Sequence, residues 1–186
     1  NHGRMLGEHG WFGSRWMYEE SLQTPLIINK NQLKNNLQIV DDLVQNLDIA
    51  PTILDYAGAI ESENIQGYSL RPLLENFDSN LTWRNSIYYH HYEFPGDQMT
   101  AKHYGIRTNQ YKLIHFYQFD EWEFYNLWDD PFEMQNLFND EDYDVQIENL
   151  KKLLQKDREN YLDQTDISIM PEGWRKIYRG PEARKE

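Results

Sequence analysis

The first fifteen residues, NHGRMLGEHGWFGSR, collect side chains suited to polar chemistry. Asn1, His2, Glu8, His9, Ser14 and Arg15 stand among Gly3, Gly7, Gly10 and Gly13. A Glu-His pair can manage a proton. Glycines let a backbone turn tightly and approach a ligand closely. For isolated residues the bland reading comes first: Asn1 and His2 satisfy a turn. Glu8 and His9 equally suit a hydrogen bond that shapes the loop, so they rank as site-lining only. Chain ends are usually frayed and dispensable. This one reads as the inside of a site, and a preceding half that completes it is expected.

The elements that must position these residues follow in three blocks. After the glycine-rich loops, TPLIIN has the length and branching of a buried strand, with Pro25 near its start. NLDIAPTILDYAGA places Ile49, Ile53, Leu54 and Ala57 at helical spacing, with Asp48 as N-cap and Gly58 just past the end. GYSLRPLLENF predicts a second short helix or turn. Then the period changes. SIYYHHYEF, HYGIRT, YKLIHFY and WEFYNLW are aromatic and β-branched runs separated by turn residues, so an antiparallel sheet is expected. Turns are expected at Gly96-Asp97 and Asn109-Gln110, and the tight RTNQYK join predicts a hairpin. Residues 143–162 carry Ile147, Leu150, Leu154 and Tyr161 on one helical face, predicting a helix packed across that sheet.

Composition narrows the partners. Of 186 residues, 39% are hydrophobic and 15% aromatic, too rich in core formers for a disordered chain. No apolar run approaches the roughly 20 residues that span a bilayer. The net charge of −13 repels nucleic acid and anionic membranes. A small anionic substrate stays open, because a local cation can reverse the sign inside one pocket. There is no cysteine, which removes disulfides and thiolate chemistry.

NHG, LGEHGWF and MYEES, in that order and spacing, resemble the sulfatase family within the alkaline-phosphatase-like superfamily. The likeness continues through NLDIAPTILDYAG, IQGYSLRPLL, HYGIRTNQYKLIHFY and WEFYNLWDDPFEMQNLF, over residues 1–163. These phrases are similar to the C-terminal half of bacterial sulfatases acting on sulfated sugars or aryl sulfates. The resemblance implies an α/β fold: residues 1–80 as the end of a large catalytic domain, 81–170 as a smaller four-stranded antiparallel sheet packed on a C-terminal helix, and 171–186 as a basic tail. It implies a parent enzyme that hydrolyses sulfate esters with calcium and a formylglycine. The partners it implies are a sulfated carbohydrate or aryl sulfate and the missing N-terminal half. A periplasmic or extracellular setting is implied by bacterial relatives alone.

Carried over by residue, the resemblance makes Asn1 and His2 metal ligands and His9, Arg15, His103 and Arg107 substrate contacts. The carry-over is incomplete. No Cys- or Ser-x-Pro-x-Arg motif is present, so the chain alone is expected to be inactive and to hold no cofactor tightly. Asn1 stands where the family has a calcium-binding Asp, and Ser14 where it has a sulfate-contacting Lys. Gln23 and Gln98 replace an expected Arg and His. These departures motivate an alternative, a non-catalytic sulfatase-like protein that binds sulfated glycans or a partner. A phosphoryl hydrolase or transferase of the same superfamily is a second alternative, and MYEES and HYGIRT speak against it. Exposed apolar surface on residues 1–80 is expected to make the isolated chain poorly soluble.

Elsewhere the bland reading leads. His90 and His91 must face opposite sides of a strand. Tyr88, Tyr89, Tyr92, Trp122, Phe124 and Tyr125 are expected as core between sheet and helix. Asp129-Asp130-Pro131 is expected to start a turn or short helix, with Glu133 in its first turn.

Overall fold

The computed structural model describes residues 2–29, 39–59, 64–75, 82–94 and 99–168. Asn1, the Gly96-Asp97 turn, Gln98 and the basic tail lie outside them. The chain divides into two compact units, one of residues 24–86 and one of residues 2–23 with 87–186.

In the first unit two helices form where expected: α2, Ile49–Tyr56, and α3, Arg71–Glu75 (α1, in the second unit, is described below). Gly58, at φ 64°, follows α2 in the left-handed conformation that suits a helix end. Asp48 has a different task from the expected cap. Its fully buried carboxylate takes both guanidinium nitrogens of Arg84 at 2.6 Å and accepts the Gln45 and Tyr68 N–H groups. A carboxylate with that many donors is a fixed junction. TPLIIN is not a strand, and Ile27 is 89% exposed. A strand exists through its neighbour, and no described strand pairs with this run. Ile49 and Ile53 on α2 are likewise exposed.

The second unit is built on the four-stranded antiparallel sheet. Its strands are β3 (Ser86–His91), β4 (His103–Thr108), β5 (Tyr111–Phe116) and β6 (Glu121–Asn126), in spatial order β3-β4-β5-β6. The β4–β5 hairpin pairs Tyr104 with His115 and Arg107 with Lys112, and β5–β6 pairs Lys112 with Tyr125. Strand alternation sorts the residues onto two faces. One face carries Tyr104, Ile106, Leu113 and Phe124 against Ile147, Leu150 and Leu154 of α4, Asp144–Asn160. The other carries Ile114, Phe116 and Tyr125 against Met5, Trp16, Met17 and Tyr18 of the N-terminal segment. The expected aromatic cluster is therefore divided. Tyr88, Trp122 and Phe124 lie on the helix side, Tyr89 and Tyr125 on the other, and Tyr92 is exposed. His90 and His91 do face opposite ways: His90 meets Asp163 and Tyr117, while His91 lies against His103.

The N-terminal segment is a hairpin of β1 (Met5–Leu6) and β2 (Phe12–Gly13), followed by one helical turn, α1 (Glu19–Leu22). Its tight reversal uses positive φ at Gly7, His9 and Gly10. Met17 packs where Gly105 has no side chain, since a Cβ there would stand 2.5 Å from its sulfur. Beyond β6, Asn136 imitates a strand: its Oδ1 accepts the Phe124 N–H and its Nδ2 donates to the Trp122 carbonyl. The Leu137 N–H donates to the Phe124 carbonyl beside it. The expected turn forms at Asp130-Pro131, where the Glu133 N–H reaches the Asp130 carbonyl, but residues 131–139 form no helix and Glu133, at φ 54°, is buried against Lys112.

Candidate functional site

The loop carrying His2 is tied to α1 through Gly3. The Gly3 N–H donates to the Ser21 carbonyl at 2.8 Å, and a Cβ on Gly3 would lie 2.0 Å from the Glu20 carbonyl oxygen. Glycine is required because two backbones touch. His2 is exposed next to this contact, with Nδ1 donating to the Gly3 carbonyl at 3.1 Å. That bond leaves Nε2 as the nitrogen a ligand would meet.

His9 stacks on Tyr18 at 4.2 Å between ring centres, and its Nε2 stands 3.8 Å from a Glu20 carboxylate oxygen. Glu8 shapes the turn: its carboxylate accepts the Leu6 N–H, and backbone donors hold its pKa below the usual range. Ser14 is half-buried. Arg15 forms an ion pair with Glu93 while its carbonyl accepts the Tyr89 hydroxyl.

His103 and Arg107 share the face of β4 that meets the N-terminal segment, but they sit differently. His103 has no exposed surface and lies among Trp16, Tyr89 and Phe116. Burial pushes its pKa down to about 3, against the opposing effect of the Ala101 carbonyl that its Nδ1–H reaches. It is neutral at ordinary pH. Arg107 reaches the Glu19 carboxylate at 3.2 and 3.3 Å and is thereby joined to α1.

The sequence reading missed a buried charge cluster around that contact. Lys112, fully enclosed, places Nζ 2.8 Å from Glu19 and 2.6 Å from Glu133. The second Glu133 oxygen accepts the Glu19 N–H at 2.7 Å. Burial works to raise the Glu19 pKa, but Lys112 and Arg107 outweigh it and hold the group at about 2. Burial pushes Glu133 up to about 7 despite the pull of Lys112. Nearby, Glu123 accepts the hydroxyls of Tyr18 and Tyr125 at 2.9 and 3.0 Å, and burial raises its pKa also. Strand parity carried the missed signal. In YKLIHF, Lys112 shares its face with Ile114 and Phe116, so an inward lysine was legible there. Among the described residues no group of three or more His, Cys, Asp or Glu could hold a metal.

A glycine-tethered loop, a GEHG turn and a one-turn MYEES helix, all seated on a four-stranded sheet, define a class. The chain belongs to the sulfatase family, and the part it matches is the C-terminal part of that fold. Residues 7–160 match the family described as N-sulphoglucosamine sulphohydrolase, C-terminal. The chain is 44% identical over 163 residues to an N-acetylglucosamine-6-O-sulfatase of Bacteroides thetaiotaomicron, covering 87% of this chain and 29% of that protein. It is 36% identical over 162 residues to an arylsulfatase of Clostridium perfringens, covering 86% and 32%. A solved structure described as in complex with its substrate, D-glucosamine-2-N,6-O-disulfate, superposes with a TM-score of 0.77 at 40% identity. That match covers 89% of this chain and 34% of the other. The phosphonate monoester hydrolase of Silicibacter pomeroyi shares the fold, with a TM-score of 0.72 at 24% identity, covering 88% and 34%.

Proposed function

We propose that this chain supplies the C-terminal part of an enzyme that hydrolyses sulfate esters on carbohydrate. The observation that carries this reading is the 44% identity to an N-acetylglucosamine-6-O-sulfatase over 87% of the chain. The disulfated glucosamine held by the structural neighbour supports a sulfated amino sugar as the substrate class.

Within that enzyme Asn1 and His2 would be this chain's contribution to a calcium site. The described residues do not fit the ion by themselves. Calcium takes roughly six to eight oxygen ligands, whereas His2 offers a nitrogen and no acidic cluster stands beside it. No catalytic step follows from these residues, and the formylglycine nucleophile has no counterpart here. His9, Arg15 and Arg107 carry the proposed contacts to the sulfated sugar. His103, closed off among rings, would support the Trp16 side of the segment instead of reaching a ligand.

The test is sulfate release. The protein encoded by the complete reading frame is expected to release inorganic sulfate from glucosamine 6-sulfate or a related sulfated sugar, and the 186-residue chain alone to release none. Ser14 at the family's lysine position favours a second reading, a non-catalytic binder. Binding of the sulfated sugar by the complete protein without release would decide for it. Absence of both would overturn both readings.

A further inference from the structure

Helix α1 is a single turn, far below the roughly 12–15 residues at which a helix becomes marginally stable alone. It nevertheless carries the Ser21 carbonyl that anchors Gly3. Something else must hold it: Leu22 at its end packs on the apolar core, and ionic contacts hold its start. Glu19, its first residue, points its carboxylate at Lys112 and Arg107, and its N–H at Glu133. That N–H is one of the unpaired donors every helix start exposes, and a carboxylate is the favoured partner there. Lys112 rises from the middle strand pair and binds Glu133 from below. Glu133 reaches this place from a loop at φ 54°, a conformation a glutamate holds only when its surroundings fix it.

Stability does not explain the arrangement. Exchanging a buried ion pair for apolar side chains of similar volume is often neutral or stabilising. Geometry does explain it, because the three groups fix α1 at both its backbone and its side chain. We propose that Lys112 and Glu133 are positioning residues that seat α1 on the sheet and so set where the His2-Gly3 loop stands. The path is continuous: β5 to Lys112, Lys112 and Glu133 to Glu19, α1 to Ser21, and Ser21 to Gly3. Neither residue is proposed to touch substrate. The inference rests on the sulfatase reading only for what the loop would bind.

Amide hydrogen exchange on the 186-residue chain tests it without reference to turnover. The double variant Lys112→Met with Glu133→Gln removes one cation and one anion, keeps the volume and leaves Glu19 its Arg107. Its Gly3 N–H is expected to exchange faster by about tenfold or more, while the amides of β5 and α4 keep their protection. Lys112→Arg, which keeps the charge, is expected to retain the protection at Gly3. If the double variant does not fold, Glu133→Gln alone carries the same expectation. Unchanged exchange at Gly3 would overturn the proposal. So would faster exchange at Gly3, β5 and α4 together, which marks general loss of stability.

In the complete protein the same double variant is expected to lose sulfate release at least tenfold in kcat. A wild-type protein that releases no sulfate, with Gly3 loosened in the variant, overturns the functional reading and supports the positioning role. A wild type that does release sulfate, with Gly3 unchanged in the variant, overturns the positioning role alone.

Discussion

The two faces of the four-stranded sheet come from the same strands, read at alternate residues, yet they are built differently. The helix side centres on an apolar seam of Ile106, Leu113 and Phe124 against Ile147, Leu150 and Leu154, with the His90–Asp163 pair and Arg158 among its polar groups. The face toward the N-terminal segment mixes Ile114, Phe116 and Met17 with enclosed Lys112, Glu133 and His103. Apolar burial is non-directional and holds layers together without fixing a register between them. Ionic and hydrogen-bonded contacts hold specific atoms at specific distances. One face secures the sheet, and the other fixes a loop in place.

The largest expected effect lies on the apolar face. Leu154→Ala should lower stability by about 2–5 kcal/mol in denaturant titration, because a fully buried leucine leaves a cavity that its neighbours only partly fill. A loss under 1 kcal/mol would mean that α4 is a loose cover, and the contrast between faces would fail.

The second effect is a pH dependence. His103 has a folded pKa of about 3 against an ordinary value near 6.5. Between those values the unfolded chain binds a proton that the folded chain does not, so stability present above pH 6.5 is lost as the pH falls toward 3. One such group contributes a slope of at most about 1.4 kcal/mol per pH unit. His103→Phe keeps the stacking and removes the titration, so the slope of urea midpoint against pH should flatten. A residual slope is expected, because burial also lowers the pKa of His91 on the same face and of His90 and His115 toward α4. An unchanged slope would show that the acid sensitivity does not come from His103.

The smallest effect on global stability is expected at Gly3→Ala. The new methyl meets the Glu20 carbonyl, so the loop must leave α1 while the sheet stays intact. Amides of residues 2–6 should lose protection with little change in the thermal midpoint. A large fall in that midpoint would mean that the loop supports the sheet and is not merely held by it.

These contrasts also mark what could be read from the sequence. The four strands were legible because their aromatic and branched residues alternate between turn signals, and a strand so marked forms once its neighbours are present in the chain. The face of α4 was legible for the same reason, with Ile147, Leu150 and Leu154 buried as spaced. TPLIIN forms no strand because a run of apolar residues specifies one only where another strand accepts its hydrogen bonds. The aromatic cluster was assigned to one layer although strand parity divides Tyr88 from Tyr89 and Phe124 from Tyr125. Motif order pointed to the N-terminal segment that carries His2, His9 and Arg15. It did not reveal Lys112 or Glu133: strand parity turns Lys112 inward, but nothing in the sequence names its partners. Glu19 and Glu133 are far apart in sequence, and only the folded chain brings both to one ammonium.

The Asn136 side chain occupies the outer edge of β6 as a further strand would. A sheet border normally shows unpaired amides to any passing chain and can seed stacking between copies. With Trp122 and Phe124 already engaged by Asn136 and Leu137, that template is closed from within the same chain. That stretch of the border is withheld from pairing with another copy for as long as the short loop after β6 stays in place.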